Sequence, residues 1–263
     1  MMIEQPLIWL RDEIQSIIAD WCEETRSENY WREPLVAVAS ASDPLFGDLR
    51  RVVDLTHAMP ADILPGAESV IVFFLPFQQW LAKENDEAGF HAARRWAESY
   101  VATNELIQTI NTHLRSRIED AGYQAAVTPA THNFDEEKLI SRWSHKHLAY
   151  IAGLGTFGCN HLLITASGCC GRLGSLVTTM PLPPTPRPDQ EWCLEKAGSE
   201  CLACVSKCSY EALFENRYDR RKCYEQCLIN DRYYADLPLV DVCGKCACEA
   251  PCSYCIPASA AGK

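Results

Sequence analysis

Residues 149–165 read AYIAGLGTFGCNHLLIT and contain Gly153-x-Gly155-x-x-Gly158, the spacing of a dinucleotide-binding fingerprint. That fingerprint works only where a strand enters the glycine turn and a helix leaves it, so that the helix N-terminus faces a pyrophosphate. Here the order is reversed. Upstream, Ile140, Trp143, His147, Leu148 and Ile151 recur mostly at intervals of three and four, which predicts one face of an amphipathic helix running into the glycines. Downstream, Leu162–Thr165 is short and branched, which predicts a strand. The nicotinamide role is therefore set aside. The glycines serve either a turn that cradles another ligand or a tight turn that packs helix against strand.

Working outward, 263 residues are enough for one sizeable domain and a smaller module. An apolar fraction of 48% with 10% aromatics describes a folded globular chain rather than a disordered one. The longest apolar run, SVIVFFLPF at 69–77, is too short to span a bilayer, so no membrane helix is expected. The N-terminal MMIEQPLIWLRDE lacks a basic leader and reads as an amphipathic helix, not a secretory signal, which together with the cysteine usage places the protein in the cytoplasm. A net charge of −11 repels phosphate backbones and argues against extended nucleic-acid binding.

Periodicity predicts helices at Pro6–Cys22, Leu45–Val53 and Phe90–Ala121, and strands at Leu35–Ala39, Val70–Leu75 and Tyr123–Val127. Leu162–Thr165 and Leu173–Thr179, separated by ASGCCGR, read as a β-hairpin. The fold class expected for residues 1–180 is an α/β (α+β) sandwich. Residues 181–188, PLPPTPRP, hold five prolines and read as a stiff linker to a cysteine module at 189–263.

Of fifteen cysteines, eleven fall between Cys193 and Cys255. Such crowding in a chain without a secretory leader reads as metal binding. The groups are Cys193 with Cys201-x2-Cys204-x3-Cys208, and Cys223 with Cys243-x2-Cys246 and Cys252. Thiolates two residues apart bind one iron-sulfur cube, whereas the last cysteine of a run points to the other cube. On that logic Cys193, Cys201, Cys204 and Cys252 hold one [4Fe-4S] cluster, and Cys208, Cys223, Cys243 and Cys246 hold a second, in a ferredoxin-like domain. The competing zinc arrangement uses Cys201, Cys204, Cys243 and Cys246 and leaves the other thiols unexplained. Cys227, Cys248 and Cys255 are assigned no ligand role, although Cys248 could replace Cys246 or Cys252.

HKHLAYIAGLGTFGCNHLLIT, GCCGRLGSLVTT, Asp219-Arg220-Arg221-Lys222-Cys223 and CGKCACEAPCS together resemble the epoxyqueuosine reductase-related iron-sulfur proteins, and more distantly the reductive dehalogenases. The resemblance covers about residues 130–256. It implies a nitroreductase-like first domain that binds cobalamin, with electrons supplied by the nearer cluster, and it makes Gly153, Gly155, Gly158 and Arg172 the expected cofactor-binding residues. A low-potential electron donor and a corrinoid or small-molecule substrate are the implied partners. Three departures limit the transfer. The helical-repeat segment that helps those enzymes bind tRNA is absent from this sequence, so a tRNA partner is not expected. Their general-acid aspartate has no counterpart, Asp135 standing too far upstream, and no catalytic residue is assigned. The Asp-x-His-x-x-Gly pattern of a lower corrinoid ligand is also missing. A non-catalytic electron carrier or corrinoid-handling protein therefore stands beside the enzyme as the alternative.

Around the glycines, His132, His145, His147 and His161 are candidate proton donors, though His147 falls on the apolar face expected of a packing residue. Arg142 and Arg172 could clamp an anion. Cys169-Cys170, placed in the hairpin loop, is expected to be exposed and open to redox chemistry. Phe73, Phe74, Phe77 and Trp80 are expected in the core, with the last two near any pocket.

Overall fold

The computed structural model describes residues 5–129 and 134–258. In chain order the elements are α1 (Pro6–Thr25), β1 (Leu35–Ser40), α2 (Leu45–Val52), α3 (Pro60–Ile63), β2 (Ser69–Pro76), α4 (Gln79–Glu87), α5 (Arg94–Asp120), β3 (Ala125–Val127), β4 (Phe134–Asp135), β5 (Ile140–Ser141), α6 (His145–Ile151), β6 (Gly155–Phe157), β7 (Leu163–Thr165), β8 (Gly171–Thr178), α7 (Ala203–Ser206) and α8 (Arg220–Tyr233).

Four strands form one antiparallel sheet in the order β1-β2-β8-β3. Because side chains alternate across a strand, β2 feeds two cores. Ile71, Phe73 and Leu75 pack with α1 and α5 through Leu10, Ile14, Leu106 and Ile110, while Val70, Val72 and Phe74 pack with α2 and α6 through Phe46, Leu49 and Leu148. Helices thus cover both faces, which is why all eight residues of β2 are buried and its sequence is a continuous apolar run. Each fully buried Leu, Ile or Phe contributes about 1.5–3 kcal/mol of transfer free energy.

The expected mixed α/β architecture is present, with three local differences. First, Ile140 and Ser141 are a strand paired with β4, and the helix before the glycines is only α6. His57 explains the late start: its Nδ1–H donates to the Ala58 carbonyl (2.9 Å) and its Nε2 accepts from the Ser144 amide (3.2 Å), fixing the residue before α6. Second, β7 does not pair with β8. It pairs with β6, and β8 takes the centre of the large sheet, because its five C-terminal residues are all buried and need partners on both edges. Third, the long helix begins at Arg94, after a separate α4. Asn85 bridges the break by accepting from the Ala93 amide at 3.0 Å.

The proline-rich segment 181–188 runs along the edge strand. Thr185 donates its amide to the Val38 carbonyl (2.8 Å) and accepts from the Val38 amide through Oγ1 (3.1 Å), and Arg187 pairs with Asp43 at 2.6 Å. This satisfies donors of an otherwise open strand edge.

The glycines of the opening motif are explained by close packing. Gly153 ends α6 with φ +86°, and a Cβ there would lie 2.6 Å from the Pro186 carbonyl oxygen. At Gly155 a Cβ would lie 1.8 Å from the Ile164 carbonyl oxygen, across the β6–β7 pair. Gly155→Ala is therefore expected to lower stability by about 1–3 kcal/mol through overpacking. Gly47→Ala in α2, where a Cβ meets nothing within 4 Å, should be neutral or stabilise by up to about 1 kcal/mol; denaturant titration of both variants distinguishes the two environments.

Two more histidines are held neutral. His145 donates from Nε2 to the Pro129 carbonyl (3.0 Å) and accepts from the Ser175 hydroxyl at Nδ1 (3.0 Å), and His147 bonds Ser144 Oγ at 2.8 Å beside Phe157. Burial lowers the pKa of His57, His145 and His147, the last to about 4. Since the unfolded chain binds these protons more readily, the stability they contribute is complete above the ordinary value of 6.5 and falls as pH drops below it. Unfolding midpoints measured between pH 7 and about pH 4 should decline, and His147→Gln should flatten that decline.

Candidate functional site

The turn between β6 and β7 presents Gly158, Cys159, Asn160 and His161 to three neighbouring cavities. His161 takes φ +57°, and the Gly158 amide bonds the Leu162 carbonyl, so the tip is a tight loop with its side chains turned outward. Asn160 borders two of the cavities, donating to Cys169 Sγ (3.5 Å) and to the Cys246 carbonyl (3.3 Å).

The first cavity, a small one, is bordered by Cys193, Cys201, Cys204 and Cys252, the four thiols assigned to one cluster, and by a fifth, Cys159. Cys159 Sγ is 3.8 Å from Cys193 Sγ. Burial pushes the Cys204 thiol up to about 12. The second cavity, about 300 Å³, is bordered by Cys208, Cys223, Cys243 and Cys246, the four assigned to the other cluster, and additionally by Cys227 and Cys169. A hydrogen bond from Cys227, then one from Tyr218 and the nearby Lys146 charge, outweigh burial and bring Cys223 down to about 6, while burial raises Cys243 to about 11. The two cages touch: Cys169 Sγ lies 3.9 Å from Cys252 Sγ.

Among the described residues, no three Cys, His, Asp or Glu side chains converge closely enough to hold one metal ion. That convergence is what a zinc site of Cys201, Cys204, Cys243 and Cys246 requires. A four-iron cube takes thiolates at its separate corners and does not require that convergence.

Sequence reasoning missed Cys159, Cys169 and Cys227 as cage residues. One signal was available for Cys227: it lies four residues after Cys223 on α8 and so shares its face. Cys169 and Cys170 are corrected from exposed to buried, at 3% and 0% exposure, because just before β8 their amides pair with the Cys252 and Ser253 carbonyls, Cys169 packing beside Cys193 and Ala247 and Cys170 in the main core, rather than at a hairpin tip. Cys248 is buried in the main core with Cys170, donates to the Gly244 carbonyl and borders neither cage, while Cys255 is exposed.

The third cavity is an open cleft of about 1000 Å³ lined by Phe157, Gly158, His147, His161, Lys146 and Arg217 among others. Lys146, His161 and Tyr218 line both this cleft and the second cage, and so form the partition between them. Tyr218 stacks on His161 (4.7 Å, 23°), and Lys146 Nζ donates to the His161 carbonyl at 3.0 Å. Of the four expected cofactor-binding residues, Gly158 borders the cleft, Gly153 and Gly155 do not, and Arg172 faces the second cavity. Asp135 caps a turn, accepting from the Glu137 and Lys138 amides. His132 lies outside the described residues.

No protein-family model matches the chain, and no characterised protein is significantly similar to it in sequence. Its fold does have counterparts. The epoxyqueuosine reductase from Streptococcus thermophilus superposes with a TM-score of 0.51 at 16% identity, over 89% of this chain and 64% of that one. The catabolic reductive dehalogenase NpRdhA, in a complex with 3-bromo-4-hydroxybenzoic acid, superposes with a TM-score of 0.60 at 15% identity, over 84% of this chain and 30% of that one. The chain spans 57–64% of the length of the epoxyqueuosine reductases it resembles. It is a mixed α/β protein similar in fold to the epoxyqueuosine reductases and, more distantly, to the reductive dehalogenases.

Proposed function

We propose that the protein is an iron-sulfur redox protein of the epoxyqueuosine reductase kind, which passes electrons from two [4Fe-4S] clusters to a cofactor or small substrate in the open cleft. The observation that carries this is the gathering of the eight assigned cysteines, four and four, around two touching cavities. Cys193, Cys201, Cys204 and Cys252 hold one cluster; Cys208, Cys223, Cys243 and Cys246 hold the other. The clusters supply single electrons at low potential, taken from an external donor.

The second cage is the natural exit, since only the partition of Lys146, His161 and Tyr218 separates it from the cleft. All three side chains carry exchangeable protons there, and Lys146 and Arg220 give the cleft positive charge. A corrinoid is the acceptor that the resemblance implies. The cradle expected from the sequence is only partly present for it, because Gly153 and Gly155 are committed to packing against Pro186 and Ile164. No reaction step is therefore derived through a corrinoid, and the cleft is assigned to an electron acceptor of that or another class.

Protein purified without oxygen should carry about eight irons and eight sulfides per chain. Cys201→Ser and Cys243→Ser should each lose about half of the iron, from different cages, as read by electron paramagnetic resonance of the reduced protein. About four irons, or zinc in their place, overturns the assignment. Cobalamin added anaerobically should change its visible spectrum and co-elute with the protein on gel filtration. If it does neither, the acceptor belongs to another class; if no acceptor binds the cleft at all, the electron-carrier alternative replaces the enzyme.

A further inference from the structure

The second cavity extends past its thiols to a wall formed by Trp96 and Tyr100 of α5, Arg172 of β8 and Gln226 of α8. Three buried atoms on this wall have no hydrogen-bond partner: Trp96 Nε1, Arg172 Nη1 and Gln226 Oε1. Trp96 is 4% and Gln226 1% exposed. Leaving one such group unsatisfied costs about 1–3 kcal/mol, more when it is charged, so three on one wall mark a place built for a polar occupant.

The orientation of Gln226 follows from its neighbours. Asn230 Oδ1 accepts from the Ala92 amide (3.2 Å), and its Nδ2 donates to the Val242 carbonyl (2.7 Å), which fixes that amide. Gln226 Nε2 therefore faces two acceptors, the Phe90 carbonyl (3.2 Å) and Asn230 Oδ1 (3.4 Å), and must be the donor end. Its Oε1 is left as a free acceptor. Arg172 is held by Asn104 Oδ1 (2.9 Å) at Nη2 and by the Tyr100 ring, 4.4 Å from the guanidinium carbon, which directs Nη1 elsewhere. Tyr100 in turn donates to Asp241 Oδ1 at 2.5 Å. The unpartnered atoms of the wall are thus two donors, one of them cationic, and one acceptor, beside an Asp241 carboxylate that Tyr100 engages.

An iron-sulfur cube beside this wall presents sulfides, which accept hydrogen bonds and donate none. It could satisfy Trp96 and Arg172 but not Gln226 Oε1. We infer that this lobe of the cavity binds a small oxyanion carrying its own hydrogen-bond donor, a short hydroxycarboxylate or bicarbonate. Its oxygens accept from Arg172 Nη1 and Trp96 Nε1, and its hydroxyl donates to Gln226 Oε1. The site lies in the cavity that the second thiol set borders, and its Trp96, Arg172 and Gln226 do not line the open cleft.

The test is calorimetric titration of the anaerobically purified full chain with glycolate, lactate, bicarbonate and acetate, with iron assayed in every sample. Glycolate or bicarbonate should bind one per chain, and acetate, which has no donor for Gln226, at least about tenfold more weakly. Arg172→Met should weaken glycolate by about tenfold or more. Gln226→Leu should abolish the preference for glycolate over acetate, and Trp96→Phe should weaken both anions while retaining the ring. No binding of any probe up to about 10 mM means that ordered water or cluster sulfides alone meet these atoms, and overturns the inference. Binding that is unchanged in all three variants overturns it as well. Glycolate bound by protein that lacks iron would overturn the two-cluster assignment and leave this site standing.

Discussion

A short stretch of backbone pairing holds the two cages in place. The amides of Cys169 and Cys170 donate to the carbonyls of Cys252 and Ser253, at 2.9 and 3.1 Å. The approach is so close that Gly168, at φ +82°, has no room for a side chain: a Cβ would lie 2.3 Å from the Ser253 carbonyl. Arg32 secures the same junction by donating to the carbonyls of Phe77, Ser167 and Tyr254. These bonds tie the cysteine module to the entry of β8, the strand at the centre of the sheet. Cys169 and Cys252 are brought into contact as a direct result.

Around the second cage, basic side chains outnumber the one carboxylate, Asp241. Lys146, Lys245 and Arg172 all border it. Lys245 is 4% exposed, and its ammonium bonds the Asn85 carbonyl. Burying a cation without a counter-charge is costly, and the thiols and the Asp241 carboxylate are the groups at hand to supply one. The first cage has no lysine or arginine in its wall, and burial there raises the pKa of the Cys204 thiol. The two sites therefore offer different environments to the same type of ligand set.

The β6–β7 turn links the parts. Gly155 lets its strand lie against Ile164, and Gly153 lets the chain leave α6 beneath the proline segment. The loop they support carries Cys159 into one cage, Asn160 between both and His161 into the partition with the cleft. The glycines thus act on function through backbone placement, at one remove from any ligand.

The sequence by itself determined the large elements, the position of the proline segment and the closely spaced cysteine pairs, because each is written in local spacing: β2 as an apolar run, α1 as a stripe from Leu10 to Trp21, Cys201-x2-Cys204 and Cys243-x2-Cys246 as adjacent thiols. Periodicity misplaced the start of α6, since the bond from Ser144 to His57 comes from a residue 87 positions away. Only the tertiary structure decided that β7 pairs with β6, that Cys159, Cys169 and Cys227 border the two cavities, and that Cys170 and Cys248 withdraw into the core. Nothing in the spacing of Trp96, Arg172 and Gln226 foretells that they share one wall. Their meeting depends on strand register and helix packing, which arise from burial summed over the whole chain and not from any one segment.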